Sequence, residues 1–207
     1  MRIIALILFM LSFITGAMCD SNESIIQEWL QWHHETLYNY DLTWDGKSEI
    51  TNVPDQADYW KHLAYHDLKT ESYIINPQSQ YYSVIDGVLF SEDMSILYRY
   101  PPMRSDKCYI IPDTVLRIEE SAFTYCFFLE EVVIPNSVKS IGTDAFNRSR
   151  IKKIVIPESV VDFDIESISQ MPELIELDVV RDSIVWKTLE DAVEYIDFFK
   201  FGKVQPV

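Results

Sequence analysis

The sequence predicts an α+β fold in which a short solenoid of parallel β-strands is preceded by a β-hairpin and capped by helices at both ends. The main observation is a repeat: Ile-Pro pairs at 111–112, 134–135 and 156–157 lie 23 and 22 residues apart. Around each pair the same apolar positions recur, and a repeat of this length is typical of a solenoid. One unit cannot bury its own apolar face, so stacked units share a continuous core.

The chain divides into five segments on this interpretation. They are a signal peptide (1–19), an N-terminal helical cap (20–71), a strand and β-hairpin that lead into the solenoid (72–109), the repeats (110–180) and a C-terminal strand and helix cap (181–207). Terminal caps are expected because the first and last coils of a solenoid would otherwise expose their apolar surfaces.

The first residues have the pattern of a secretory signal. Arg2 precedes an apolar run at 3–14, and small residues occupy the −3 and −1 positions of a cleavage site before Asp20. The run is shorter than the roughly 20 residues that a membrane span requires. We therefore expect cleavage, a secreted or cell-surface location, and no membrane insertion of the mature chain.

The composition excludes two classes of partner. The 207 residues carry a net charge of −16. Binding to a nucleic-acid backbone requires clustered Lys and Arg, and docking on anionic lipid requires them as well. The charge instead favours solubility and is compatible with a cationic partner.

Two helices are predicted before the repeats. One covers 24–40, where Ser24 and Gln27 form a capping box, and the other covers 55–69, where Asp55 is the N-cap. A polar linker (41–53) joins them. Two such helices are too short to form a domain, so we interpret them as the cap on the first coil.

A strand and a hairpin follow. The strand is predicted at 72–76, and Asp86-Gly87 is a turn signal. Apolar runs at 88–90 and 96–98 flank a polar loop, which is the pattern of a β-hairpin.

Each repeat contributes a short strand to the predicted parallel sheet. Leu129, Val132 and Ile134 and their counterparts point inward, because side chains alternate along a strand. Two columns point outward, one formed by Ile110, Val133, Val155 and Asp178, the other by Cys108, Glu131, Lys153 and Glu176. The first column has two interpretations that the sequence leaves open: plain β-propensity, or a ligand-binding patch on the concave face of a solenoid.

The hairpin and repeats together resemble the BspA-type leucine-rich repeat proteins. The residues that carry this resemblance are the Asp-Gly-Val-Leu-Phe-Ser start of the hairpin, its Tyr-Pro end, and the pattern Ile-Pro-x-x-Val-x-x-Ile-x-x-x-Ala-Phe that follows. The match is good over 82–163 and weak over 164–180. Glu119 stands where Gly142 keeps the usual glycine, and the third unit has Ile168-Ser169 in place of Ala-Phe.

The resemblance implies a secreted or surface protein of a bacterium or parasitic protist. It also implies adhesion to a host or matrix protein, or to other cells. The candidate binding residues are therefore those on the outward columns of the sheet: Ile110, Glu131, Val133, Lys153, Val155, Glu176 and Asp178. We expect a monomer that binds an extracellular protein or matrix ligand and needs no cofactor.

Two alternatives come from other classes. Asp58, His62 and His66 have helical i, i+4 spacing, and such residues can bind a metal, so a metal-dependent hydrolase is one alternative. The metalloprotease motif is absent, however, because no Glu follows His62. The other is an inhibitory module that acts through the N-terminal helices.

The remaining signals concern single residues and the C-terminal end. Asn22 and Asn147 are glycosylation acceptors if the host is a eukaryote, and Asn147 is expected at an exposed turn. Cys108 and Cys126 are expected to be free thiols, because one faces outward and the other inward. A strand at 183–186 and a helix capped by Thr188 are expected to close the solenoid.

Overall fold

The computed structural model describes residues 49–65, 67–171, 173–192 and 203–206. All of them belong to one compact unit, Ser48–Val207. The signal peptide, Asn22 and the first predicted helix lie outside the described residues, and they stay predictions.

The described part of the chain contains thirteen strands, two 3-10 helices and one α-helix. In chain order the strands are β1 (Glu49–Val53), β2 (Thr70–Ile75), β3 (Tyr82–Ile85), β4 (Val88–Ser91), β5 (Ile96–Arg99), β6 (Cys108–Ile110), β7 (Arg117–Ile118), β8 (Glu131–Val133), β9 (Ser140–Ile141), β10 (Lys153–Ile156), β11 (Asp162–Phe163), β12 (Glu176–Val179) and β13 (Lys203–Pro206). The 3-10 helices are Tyr59–Tyr65 and Ile165–Ile168, and the α-helix, α1, is Ile184–Ala192. With nine residues α1 is short, and no helix among the described residues has the length and apolar character of a membrane span.

The coils of the solenoid stack through two sheets. The five-stranded sheet is entirely parallel, in the order β13-β12-β10-β8-β6. The smaller strands β11, β9 and β7 form a second parallel run, which β5 joins in parallel and β4 and β3 extend in antiparallel. Each complete repeat therefore supplies one strand to each sheet. The sequence predicted the repeat strands of the five-stranded sheet and missed β7, β9 and β11 of the six-stranded one.

The predicted register of the five-stranded sheet is confirmed. Lys153 is paired with Glu131 on one side and with Glu176 on the other. Ile111, Ile134 and Ile156, which begin the repeat motif, are all buried in one continuous core. The parallel solenoid therefore has the stacking that the Ile-Pro repeat predicts.

A third side of the coil is held by aromatic stacking. Phe123 and Phe146 stack with ring centroids 5.3 Å apart, and Tyr100 stacks on Phe123 at 5.4 Å. The amide of Phe123 donates to the carbonyl of Ala145, and the amide of Phe146 donates to that of Ser167. Parallel backbone bonds therefore link successive coils on this side as well.

This ladder corrects the alignment of the third repeat. Because Ser167 takes the place of Ala145, the residue that replaces Phe146 is Ile168. The predicted pair Ile168-Ser169 was wrong by one position. Ser167 and Ile168 are both buried, so a small residue and a large apolar residue still fill the coil at this level.

The predicted hairpin is confirmed, because β4 and β5 pair in antiparallel across the polar loop that joins them. A second hairpin precedes it at the predicted Asp86-Gly87 turn. Strands β3 and β4 pair in antiparallel around Asp86 and Gly87, whose φ angles are 48° and 77°. Positive φ at both central residues is what a tight two-residue hairpin turn requires, and Gly tolerates it best. A side chain on Gly87 would also collide with the side chain of Ser72 on β2, so the turn has no room for a larger residue.

The N-terminal predictions need two corrections. Residues 49–53, assigned to a linker, form β1, which pairs in parallel with β2 and buries Val53. The helix predicted at 55–69 is a 3-10 helix, Tyr59–Tyr65, preceded by Asp58 in a left-handed conformation with φ 66°. Its start is held by Tyr82, whose hydroxyl accepts from the Tyr59 amide at 2.9 Å, so tertiary contact decides the local structure.

The C-terminal predictions need correction as well. Residues 183–186 do not form a strand, because α1 begins at Ile184 with the Ser183 hydroxyl accepting from the Trp186 amide at 3.1 Å. Ser183 is therefore the cap, and Thr188 lies within the helix. Positions 193–202 of the predicted helix lie outside the described residues. Strand β13, which pairs with β12, was not predicted.

Candidate functional site

The exposed side of the five-stranded sheet carries an apolar column. We call this side the strand face; it comprises the outward side chains of β6, β8, β10 and β12. Ile110 is 69% exposed, Val133 38% and Val155 39%, and they are direct neighbours on adjacent strands. Asp178 continues the column on β12. The structure thus places four of the predicted residues in one row, as their spacing indicates.

The neighbouring column on the strand face is charged and partly self-paired. It contains Cys108, Glu131, Lys153 and Glu176 in register. Lys153 Nζ lies 2.8 Å from Glu176 Oε1, and this hydrogen bond raises the pKa of the lysine. Because negative and positive residues alternate along the stack, their electrostatic fields largely cancel at the strand face.

A third column, made of prolines, borders the apolar one, and its exposure was not predicted. Pro112, Pro135 and Pro157 follow the apolar residues by two positions and are all half-buried. The prolines come just after β6, β8 and β10 end, so these half-buried residues add apolar surface at the end of each of the three strands.

A ladder of ion pairs marks the other border of the sheet. Glu130 lies between Lys107 and Lys152, with Nζ to carboxylate distances of 2.8 Å and 2.9 Å. Hydrogen bonds from the two lysines lower the pKa of Glu130 to about 2. The apolar columns are therefore bounded by charges that already have partners within the chain.

The two thiols differ as the sequence predicts. Both are free; Cys108 is exposed and Cys126 is buried. Burial raises the pKa of both thiols, and Glu131 raises that of Cys108 further. Neither cysteine has the lowered pKa that marks a reactive nucleophile.

The metal alternative gains no support from the described residues. Asp58 is exposed and forms an ion pair with Lys61 at 3.3 Å. The side chain of His62 and all of His66 lie outside what the structure describes. Among the residues that it does describe, no cluster of three His, Cys, Asp or Glu side chains has the arrangement of a metal site.

The predicted acceptor Asn147 lies at a turn, but its side chain is buried. Its Nδ2 donates to the Glu166 carbonyl at 2.7 Å and also contacts the Asp144 carboxylate, while its Oδ1 accepts from the Gln170 amide at 3.0 Å. The expectation of an exposed turn residue was therefore wrong: Asn147 joins two coils. The tripeptide pattern does not reveal this, because it carries no information about the next repeat.

Comparison with known proteins identifies the repeats. The sequence profile of the family described as BspA type Leucine rich repeat region matches residues 105–201, in six copies. The chain carries a BspA-type leucine-rich repeat region. The resemblance drawn from the hairpin and the Ile-Pro motif is thereby confirmed. Comparison with curated proteins gives no match.

Solved structures similar to this chain include three bacterial proteins. A leucine-rich repeat protein from Eubacterium ventriosum has 15% identity and a TM-score of 0.47, with 65% of this chain and 43% of that one covered. A leucine rich cell surface protein from Faecalibacterium prausnitzii has 25% identity and a TM-score of 0.37, with 53% and 42% covered. The pneumococcal vaccine antigen PcpA has 16% identity and a TM-score of 0.37, with 63% and 44% covered. This chain spans less than half the length of each.

Proposed function

We propose that this chain is a secreted or cell-surface recognition protein that binds an extracellular protein partner, as in adhesion, through the strand face. The BspA-type repeat region supports a binding role, because stacked repeats display extended surfaces. The signal-like residues 1–19 support the location, since an apolar run of this length after a basic residue is typical of exported chains. The proposal assigns the chain no catalytic activity.

The observation that carries the proposal is the exposure of Ile110, Val133 and Val155 in direct register. Single exposed apolar residues are common, but a contiguous apolar patch bordered by polar residues is characteristic of an interaction site. β-propensity accounts for each residue separately. It does not account for the exposed surface that the proline column adds beside them.

The charges around the patch favour a protein over a polyanion. The chain has a net charge of −16, and the exposed lysines nearest the patch, Lys107 and Lys153, are paired with carboxylates. A phosphate backbone would therefore meet repulsion at long range and few available cations at short range.

The first prediction tests the strand face directly. Replacing Val133 and Val155 together with Lys puts two charges where an apolar partner surface would lie. We expect binding of the mature chain to its extracellular ligand to fall at least about tenfold, the effect of one central interface residue. Pull-down from extracellular material identifies the ligand, and surface plasmon resonance compares the two proteins.

A matched control uses the six-stranded sheet. Leu116 and Val161 are 50% and 56% exposed beside β7 and β11, and replacing both with Lys makes the same change of charge elsewhere. This control should keep full affinity. Full binding by the Val133→Lys, Val155→Lys protein would exclude the strand face as the binding surface.

The inhibitory alternative has its own test. Removing residues 20–47 keeps the compact unit that begins at Ser48. Binding that survives this deletion assigns the contact to residues 48–207, and binding that disappears assigns it to the deleted segment.

A further inference from the structure

We propose that the partner presents an amphipathic α-helix that lies along the stack, across the strands. Its apolar row would contact Ile110, Val133 and Val155, and a basic residue near one end would meet Asp178. This inference rests on the proposed function and adds to it the shape and charge of the partner.

The spacing of the apolar column favours a helix. Neighbouring strands are about 4.8 Å apart, so the three residues of the column span roughly 10 Å. Positions i, i+4 and i+7 of an α-helix lie on one side and also span about 10.5 Å, because the rise is 1.5 Å per residue. Three same-side residues of an extended peptide span about 13 Å. Of these two ligands, only the helix has a row of three side chains as long as the apolar column.

The width of the apolar surface fits the same ligand. Each proline follows the apolar residue of its coil by two positions, so the two columns are at most about 7 Å apart. Two parallel rows at this separation form a platform for one side of a helix, whose diameter with side chains is about 10 Å. The prolines also lack an amide hydrogen, so this part of the platform offers a partner apolar contact and no backbone donor.

The carboxylate at one end of the apolar column predicts where the ligand carries a positive charge. Asp178 occupies the position after Val155, and it makes no salt bridge with any residue that the structure describes. The neighbouring charged residues Lys153 and Glu176 form a salt bridge with each other. A carboxylate that ends an apolar row calls for a cation, which position i+11 of the helix, about 16 Å from position i, would supply.

The test uses two synthetic peptides of one composition. The helical probe has Leu at i, i+4 and i+7, Arg at i+11, Ala and Gln elsewhere, and a lactam bridge on the far side. The extended probe has the same residues with Leu at alternate positions. We expect the mature chain to bind the helical probe at least about tenfold more tightly by isothermal titration calorimetry, the scale of one well-buried contact.

Two variants assign the site. Val133→Asp should lower the affinity for the helical probe at least about tenfold. The added negative charge would strengthen any non-specific attraction of the cationic peptide, so a loss of affinity reports on the apolar contact. Asp178→Asn should lower the affinity for the helical probe about threefold to tenfold. It should leave the affinity unchanged for a probe in which Gln replaces the Arg. Val161→Asp, which adds the same charge on the other sheet, is the matched control and should bind normally.

The outcomes separate this inference from the proposed function. Equal or tighter binding of the extended probe, lost in Val133→Asp, overturns the helix and leaves the strand face as the binding surface. No binding of either probe, or full binding to Val133→Asp, also overturns the helix. The proposed function fails only if the natural ligand is fully retained by the Val133→Lys, Val155→Lys protein.

Discussion

At the scale of single residues, the most consequential contact is a buried ion pair between Asp67 and Arg99. The carboxylate accepts from Arg99 Nε at 2.8 Å and from Nη2 at 2.9 Å, and both residues are almost completely buried. Arg99 Nη1 also donates to the carbonyls of Ser121 and Thr124. Burial opposes the charge on Arg99, but Asp67 outweighs it and the pKa of the guanidinium is raised.

Removing one partner of this pair should be severely destabilising. We expect Asp67→Ala to lower the free energy of unfolding by about 3–5 kcal/mol, because Arg99 would keep a buried charge without a counterion. Urea unfolding followed by circular dichroism measures the change. Lys107→Ala breaks an exposed pair of the same type and should cost less than about 1 kcal/mol. Similar losses in both variants would contradict the role assigned to Asp67.

Glu130 should make part of the folding stability depend on pH. Its pKa is lowered from 4.5 to about 2 in the folded chain, first by the hydrogen bond from Lys107 and then by that from Lys152. A carboxyl group with a lowered pKa stabilises the fold above its unfolded pKa and loses that effect as the pH falls through its folded pKa. The contribution is therefore complete above about pH 4.5 and is lost toward pH 2.

The corresponding variant is Glu130→Gln. We expect its melting temperature to lie slightly below that of the unchanged chain at pH 6, and the difference to shrink steadily between pH 4.5 and pH 2. The difference should be small because the carboxylate is partly solvated. A difference that stays constant over this range would show that Glu130 contributes through packing and not through charge.

The two thiols should differ in reactivity. Cys108 is exposed and should react with iodoacetamide in the native chain, slowly at pH 7 because its pKa is raised and the thiolate is the reactive form. Cys126 should react only after unfolding, because it is buried. Mass spectrometry of the intact protein counts the modified sites. Rapid native labelling of both would contradict the burial of Cys126.

Residue positions were predictable where one physical rule dominated. Alternation along the strands placed Val132 inside and Val133 outside, and both placements are confirmed. The rule fails for polar residues such as Arg99 and Asn147, which are buried because partners far along the chain satisfy them. Nothing local distinguishes them from solvated polar residues.

At the scale of the elements, Gly142 shows how closely successive coils approach. A Cβ at this position would lie 2.7 Å from the amide nitrogen of Glu120 in the preceding coil. The equivalent position of that preceding coil holds Glu119, whose carboxylate bonds Arg117 at 2.7 Å. There the neighbouring strand is β5 of the hairpin, not another repeat, so a side chain is tolerated where the later coil requires glycine.

Gly142→Ala should therefore destabilise the stack. We expect a loss of about 1–3 kcal/mol in the free energy of unfolding, because the backbone at Glu120 must shift to admit the methyl group. Thermal unfolding gives the change. Ser140→Ala, on the preceding strand and only half-buried, is the control and should change stability by less than about 0.5 kcal/mol. Unchanged stability of Gly142→Ala would mean that the coils have room for a side chain at this point.

Element prediction succeeded for repeated features and failed for isolated ones. The strands β6, β8 and β10 of the five-stranded sheet recur with the Ile-Pro pairs, so the pattern of each one strengthens the prediction of the others. Strands β7, β9 and β11 have two residues each, which is too short for alternation to be recognised. Strands β1 and β13 depend on partners elsewhere in the chain, and a local pattern cannot show such pairing.

At the scale of the whole molecule, the segment before the repeats is part of the folded unit. Val53 and Leu63 pack with Tyr73 and Leu89 in a small core of their own. The ion pair of Asp67 then joins this segment to the first coil. Residues 20–71 were predicted as a helical cap on the first coil, but β1 and the ion pair of Asp67 were not predicted, because contacts between distant residues leave no local pattern in the sequence.

Truncation should reveal this integration. A chain that begins at Thr70 loses β1, Val53, Leu63 and Asp67, and we expect it to lose cooperative unfolding and dispersed amide signals in NMR spectra. A chain that begins at Ser48 keeps all of these contacts and is the matched comparison. Equal stability of the two chains would show that the repeats fold without the preceding segment.

The alternating ion pairs along the stack constrain how such a protein can lengthen. Lys107, Glu130 and Lys152 follow one another on successive coils, each bonded to the next. Duplicating the one coil that carries Glu130 would set two glutamates side by side, and like charges on adjacent strands repel. Copying two adjacent coils together would preserve the alternation. Growth of this array by gene duplication is therefore easier in even steps than in odd ones.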